Sequence, residues 1–308
     1  MLKNYLTMLG LVFVLFISLL GCTEKTDQQP ANGAKGVFYE VESDDSKVYL
    51  LGSVHVGNSD MYPLHGVIEE AYSNSDYLAV EVDINNLNPI EMMQFISEEG
   101  VYQDGSTLKD HIESDLYEEL ITLLIKNGMP EEEIVMFKPW LIADMVESIL
   151  IEQYGYSFDL GIDQYFLTKA AEDNKEIISL ETLEDQLSLF TILSAESQEE
   201  SLRSTLFEQE ENKEMLENLV VQWIEGDIES LSELREIDDD EPADLLDFHY
   251  ALTDERDKEM AEKIDQFLRS QNGETYFVVV GALHLVGENS IVDLLRSKGY
   301  EVNEVFAD

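Results

Sequence analysis

Two short apolar runs at opposite ends of the chain, residues 48–51 and 276–280, each lead directly into a Gly-x-x-His tetrapeptide, Gly52 to His55 and Gly281 to His284. An apolar β-type run that meets glycine at once reads as a strand ending where the backbone must turn tightly or approach a bound group. In an open α/β sheet, ligands bind outside the carboxyl ends of the strands, so residues remote in sequence can converge there. A third apolar run, 77–82, reads as a buried strand, carries Glu81 near its end and leads into Asp83. The expected fold is therefore α/β: a mixed, largely parallel sheet flanked by helices, with two histidines and a carboxylate at one rim.

The remaining runs fit that frame. Residues 37–41 and 48–51 surround a polar stretch and predict a β-hairpin. A helical pattern spans 64–72. Residues 89–193 are mainly helical by apolar spacing, with breaks at Gly128, Pro130 and Pro139 and a short strand, 177–180, ahead of Glu181 and Thr182. A helix over 254–268, another over 290–296 and a strand over 302–306 close the pattern. Between 196 and 247 the composition turns acidic, with Leu216, Leu219, Val220 and Trp223 at helical intervals, which predicts an amphipathic helical insertion. It ends in the loop Asp238, Asp239, Asp240, Glu241, Pro242, which lacks the glycine and glutamate spacing of an EF-hand and reads as a solvated turn rather than a Ca²⁺ site. No fixed-period repeat is present.

Residues 1–21 stand apart from the globule: Lys3 precedes an apolar stretch over 5–20, and Leu19, Leu20, Gly21, Cys22 resembles a bacterial lipoprotein processing site. In that reading 1–21 is a signal peptide, Cys22 is acylated and anchors the chain to the membrane, 22–35 is a polar flexible tether, and 36–308 is the folded domain on the extracytoplasmic face. The alternative is an uncleaved membrane anchor. Cys22 is the only cysteine, so the domain has no internal disulfide and depends on its core. A formal net charge of −48 disfavours nucleic acid and anionic headgroups and favours cations and basic partners, although surface solvation accounts for most of the carboxylates.

Two neutral imidazoles and one carboxylate suit Zn²⁺, Mn²⁺, Fe²⁺ or Co²⁺ and leave positions open for water and substrate. His55, Glu81 and His284 are thus candidate ligands of a divalent transition metal. A single Gly-x-x-His is more often structural; the matched pair after matching strands is what points to a site. His65, His111 and His249 lack that placement and read as surface or core residues.

The segment Tyr49 to Gly57, with Met61, Tyr62, Pro63 and Leu64 after it, resembles the opening motif of the TraB/GumN family, which is similar to the Tiki proteins. Further matches follow in order: Glu81, Val82, Asp83; Gly161, Ile162, Asp163; Leu180, Glu181, Thr182 with Gln186 and Leu187; Glu255, Arg256, Asp257 with Met260 and Ala261; and Val280 to Gly287. Tiki proteins are membrane-associated metal-dependent proteases in which both Gly-x-x-His motifs and a glutamate are implicated, so the resemblance implies His55, Glu81 and His284 as the centre. It also implies a role for Arg256, either binding a substrate carboxylate or oxyanion, or bracing Glu81 or Glu181 in a buried ion pair. Glu181 could act as general base or beside the ligands, or serve structurally next to Thr182. Asp257 departs from the asparagine expected in many GumN-like members. The implied function is a metal-dependent hydrolase, a peptidase acting outside the cytoplasmic membrane. Three other readings stand beside it: the same residues acting without metal, as in the similar erythromycin esterases; a non-catalytic module that sequesters a basic peptide, of the pheromone-shutdown type; and a structural envelope protein with a degenerate site.

Overall fold

Six apolar runs pair into one sheet, in the order β4-β3-β5-β2-β1-β6. The strands are β1 Val37–Glu42, β2 Lys47–Ser53, β3 Tyr77–Val80, β4 Glu176–Ser179, β5 Thr275–Gly281 and β6 Val302–Glu304. In the computed structural model the described residues are 33–43, 46–238, 241–270 and 273–307. The expected signal peptide, Cys22 and most of the expected tether, together with Asp239 and Asp240 of the acidic loop, lie outside them. Among the described residues no helix is long and apolar enough to cross a membrane.

β1 and β2 form the antiparallel hairpin, with Val41 opposite Val48. β4, β3, β5 and β2 run parallel, which requires crossovers, and helices supply them: Gly66–Asn74 ahead of β3, Ile162–Asp173 ahead of β4, Arg256–Leu268 ahead of β5. The sheet is thus mixed and largely parallel. β5, enclosed by neighbours and helices, buries Phe277, Val278, Val279 and Val280 completely, which is why its run is apolar without alternation. Phe277 packs against Phe166 and Tyr72 from two flanking helices, with ring centroids 4.8 and 5.6 Å away. Each such side chain contributes about 1.5–3 kcal/mol by burial. A second core, built by Leu116, Leu120, Ile142, Val146 and Leu202, joins the helices Ser114–Lys126, Pro139–Gln153 and Ala195–Phe207 away from the sheet.

Pairing aligns the strand ends that matter. Ser53 lies opposite Gly281, and Val80 opposite Val279. The chain leaves β3 outward to β4 and leaves β5 the other way to β6, so the rim between β3 and β5 is a topological switch point, where α/β sheets form ligand crevices. Among the boundaries that differ from the pattern reading, two bear on the site. β3 stops at Val80, so Glu81 lies beyond the strand rather than within it. The α-helix expected from 254 begins at Arg256, because a π turn, Ala251–Glu255, carries the chain into it from the helix Ala243–Tyr250.

Candidate functional site

The loop after β2 is laid against the start of the helix Ile162–Asp173. Ile162 N donates to Val54 O at 3.0 Å, and Gly57 pairs with Ser157 through both backbone bonds, 2.9 and 2.8 Å. A Cβ on Gly161 would lie 2.2 Å from His55 O, so the two backbones can touch only because that position is glycine. This contact places Asp163, in the helix's first turn, beside the histidine. Ser53 Oγ donates to Asp163 Oδ1 at 2.7 Å, and His55 Nδ1 lies 2.8 Å from Oδ2. A carboxylate only accepts, so Nδ1 carries the proton and Nε2 is the nitrogen left for chemistry. The His55 side chain is 29% exposed, the more open of the two imidazoles. Burial works against its cation, but Asp163 outweighs that and raises its pKa to about 9.

The loop after β5 is built differently. Gly281 N donates to Glu81 Oε1 at 2.6 Å, and a Cβ there would stand 3.3 Å from that oxygen and 3.4 Å from His284 Cδ2. The glycine of this Gly-x-x-His therefore makes room for the carboxylate and the imidazole together. His284 is buried, with Nδ1 2.6 Å from Asp257 Oδ1 and Nε2 3.7 Å from Glu81 Oε1.

Glu81 is held by four groups. Its Oε2 accepts from Arg256 Nη2 at 2.6 Å and Gln186 Nε2 at 2.9 Å, while Oε1 takes Gly281 N and faces His284. Burial alone would raise its pKa; the charges of Arg256, His284 and His55 and the Gly281 N–H prevail and hold it at about 2. Arg256 also donates to both oxygens of Glu181, at 2.8 and 2.7 Å, and to Leu252 O in the π turn at 3.1 Å. Its guanidinium is buried and committed to the two glutamates, which makes it the brace of the site. Glu181 accepts from Gln186 as well, at 3.2 Å, and its own backbone N donates to Glu81 O. Thr182 next to it caps the helix Leu183–Ser188 in a capping box with Asp185.

Strand pairing brings Glu81, Arg256, Glu181 and His284 into one contact network, with His55 beside it in the loop after the adjacent strand β2 and within electrostatic reach of Glu81. Among the described residues, no three His, Cys, Asp or Glu side chains have their donors gathered as a metal ion requires. The donor chemistry nonetheless suits one: each imidazole is anchored through Nδ1 by an aspartate, the arrangement that orients metal-ligating histidines. The other histidines lie elsewhere. His65 caps the helix Gly66–Asn74, His111 stacks on Tyr102 at 4.1 Å, and His249 is buried in Ala243–Tyr250.

The motif matches include Ser53, Asp163, Gln186 and Asp257, but nothing in the sequence assigns them a task. Asp163 and Asp257 both stand in motifs, but no spacing signals which histidine each one holds. Trp223 falls on the apolar stripe that the helical spacing predicts, and its indole Nε1 also donates to Gly52 O at 2.7 Å, at the base of the His55 loop.

The family model described as TraB/PrgY/gumN family matches residues 37–304. The chain is 26% identical over 256 residues to the uncharacterized protein YbaP of Escherichia coli K12, covering 80% of this chain and 87% of that one. It is 24% identical over 336 residues to metalloprotease TIKI1 of Danio rerio, covering 92% and 65%, and 23% identical over 313 residues to metalloprotease TIKI2 of Xenopus tropicalis, covering 82% and 57%. No solved structure gives a significant match.

Proposed function

The chain belongs to the TraB/PrgY/gumN family, and we propose that it is a metal-dependent hydrolase, a peptidase acting outside the cytoplasmic membrane. The observation that carries this reading is the matched anchoring of the two imidazoles, Nδ1 of each on an aspartate, with Glu81 at the same rim. His55 Nε2, His284 Nε2 and Glu81 Oε1 would hold the ion. A divalent transition metal bound there, whether Zn, Mn, Fe or Co, supplies Lewis acidity for attack of water on a carbonyl. Named metalloproteases among the relatives support the same chemistry.

The protein's own groups then have distinct tasks. Arg256 keeps Glu81 ionised and fixed, so that the carboxylate is available as a ligand rather than as an acid. Glu181 and Gln186 hold Arg256 and Glu81 in place. His55, the more open imidazole, faces arriving substrate and water. In the metal-free protein Asp163 favours the protonated form of His55. Binding must displace that proton, so affinity for metal rises with pH.

Export, with anchoring through acylated Cys22 on the extracytoplasmic face, belongs to the same proposal and rests on residues 1–22 alone. The charge of −48 favours a basic peptide as substrate. Purified protein should carry about one transition-metal ion per chain, and His284→Ala should lose it. Chelation should abolish cleavage of a basic peptide mixture. Cleavage that survives both chelator and His55→Ala would sink the proposal. Retention of tight binding to the same mixture by Glu81→Gln, with no cleavage by the native protein, would favour sequestration instead.

A further inference from the structure

The acidic stretch between 196 and 247 contributes one buried cation to the far side of the site. Arg235 follows the helix Ile228–Glu233 and is only 6% exposed, although Glu233 and Glu236 on either side of it are exposed. Its Nη1 donates to Leu283 O at 2.6 Å and pairs with Asp257 Oδ2 at 2.6 Å; its Nη2 donates to Asp254 Oδ1 at 2.9 Å. Asp254 is fixed in turn by Asn289 Nδ2 at 2.9 Å. Gly287 leaves space for the arginine stem: a Cβ there would stand 3.3 Å from Arg235 Cδ. One guanidinium thus grips the residue before His284, by its carbonyl, and the aspartate that holds His284 by its ring.

We infer that Arg235 is a positioning residue for His284, acting through Asp257 and the Leu283 carbonyl to present the imidazole Nε2 towards Glu81. Asp257 is fully buried, and a buried carboxylate without a counter-charge is costly, so without Arg235 it would turn away from the ring. An Asp257 that turned away would release His284 Nδ1, and the ring would lose its single orientation. Arg235 removes that alternative by occupying Oδ2 and leaving Oδ1 to the ring. The planar fork explains arginine here, since a lysine ammonium is a point charge and cannot span Leu283 O, Asp257 and Asp254 with the same geometry. The acidic segment is therefore tied to the chemistry by a specific contact.

The inference rests on the proposed metal reading only for its effect on affinity; the effect on the ring is independent of metal. The test uses full-length protein carrying Arg235→Gln, Arg235→Lys, Asp257→Asn or the double change R235Q/D257N. Zn²⁺ alone, titrated in competition with a chromogenic chelator, reports affinity. Proton–nitrogen spectra of ¹⁵N-histidine-labelled, metal-free protein report the tautomer, and with five histidines in the chain each ring can be assigned by substitution. Arg235→Gln should weaken Zn²⁺ binding about 10- to 100-fold and replace the single His284 tautomer by a mixture, while leaving the His55 signals in place. Arg235→Lys should recover part of both. The double variant should bind no more weakly than Asp257→Asn, because both act on one path. Should native protein bind no Zn²⁺, the metal reading falls and the ring spectra alone decide about Arg235. An unmoved His284 spectrum in Arg235→Gln, or multiplicative losses in the double variant, would overturn the inference; if Arg235→Gln does not fold, an unmoved spectrum in Arg235→Lys does so.

Discussion

The two Gly-x-x-His loops carry the same motif and leave neighbouring strands at paired residues, yet they are held by different physics. The His55 loop is fastened by backbone contacts to the 157–162 segment, and its imidazole is partly open and rests on Asp163. The His284 loop is closed, and its imidazole sits at the end of a buried chain of charges, Asp254, Arg235, Asp257, with Glu81 and Arg256 on its other side. Even the two glycines differ in purpose. Gly52 lies against the backbone of Ala282, where a Cβ would come 2.8 Å from Cα, whereas Gly281 lies against Glu81 and His284. A repeated motif thus marks where side chains converge without specifying how each is supported. A site with one rigid and one accessible histidine is a reasonable design for a centre that must be both preorganised and reachable.

The sharpest way to break that contrast is to remove the aspartate from each histidine in turn. Asp257→Ala uncovers His284 Nδ1 and leaves Arg235 with Asp254 alone, inside the protein, so it should cost about 3–5 kcal/mol. Asp163→Ala removes a partly exposed partner and should cost about 1–2 kcal/mol. Urea unfolding of metal-free protein at neutral pH measures both. Equal losses would mean that the two loops are energetically alike.

The next largest contrast is in pH. Glu81 is depressed from 4.5 to about 2, so its contribution is present above pH 4.5 and is lost as pH falls towards 2. His55 is raised from 6.5 to about 9, so its contribution is present below pH 6.5 and is lost as pH climbs towards 9. Acid should therefore loosen the closed half by an amount on the order of 2–3 kcal/mol, and alkali the open half by on the order of 1–2 kcal/mol after allowance for exposure. Stability of the metal-free protein, followed from pH 2 to 10, should show both flanks. Asp163→Asn should flatten the alkaline flank and spare the acid one.

The sheet class, the positions of the strands and the convergence of Glu81 with His284 were legible in the sequence, because fully apolar strands and glycine turns are local signals with one physical reading. The partners of the histidines were not, for an ion pair between Arg235 and Asp257 joins segments whose separation no periodicity encodes. Arg256 illustrates the boundary. Its presence could be singled out from its motif, but whether it faces substrate or two glutamates depends on which carboxylates the sheet order brings beside it. The acidic stretch misled in a different way: its charge drew attention, while its structural contribution comes from Trp223 and Arg235.

Glycine substitutions separate support from chemistry. Gly52→Ala meets the backbone of Ala282 just past the end of β5 and should destabilise by about 1–3 kcal/mol, as overpacking does. Gly281→Ala meets a carboxylate and an imidazole that can each give by a few tenths of an ångström, so its stability cost should fall below that of Gly52→Ala. Because those two groups are the proposed ligands, its loss of Zn²⁺ affinity should be the larger. Thermal unfolding beside chelator competition would show the crossover; the same rank order in both assays would argue that the two glycines serve the same end.

The smallest effect falls on Trp223, and it tests whether one helical segment supports both loops separately. Its indole is fully buried and donates to Gly52 O, immediately before Ser53 and His55, whereas Arg235, further along the same segment, grips Leu283 O. Trp223→Phe keeps most of the apolar volume and removes that hydrogen bond, so it should cost about 1–2 kcal/mol. If the supports are separate, the His55 ring signals should shift while those of His284 stay fixed, the converse of Arg235→Gln. Movement of both rings in Trp223→Phe would mean that the segment acts as a single rigid brace, and the contrast between an open and a closed loop would then describe their surroundings rather than independent mechanical units.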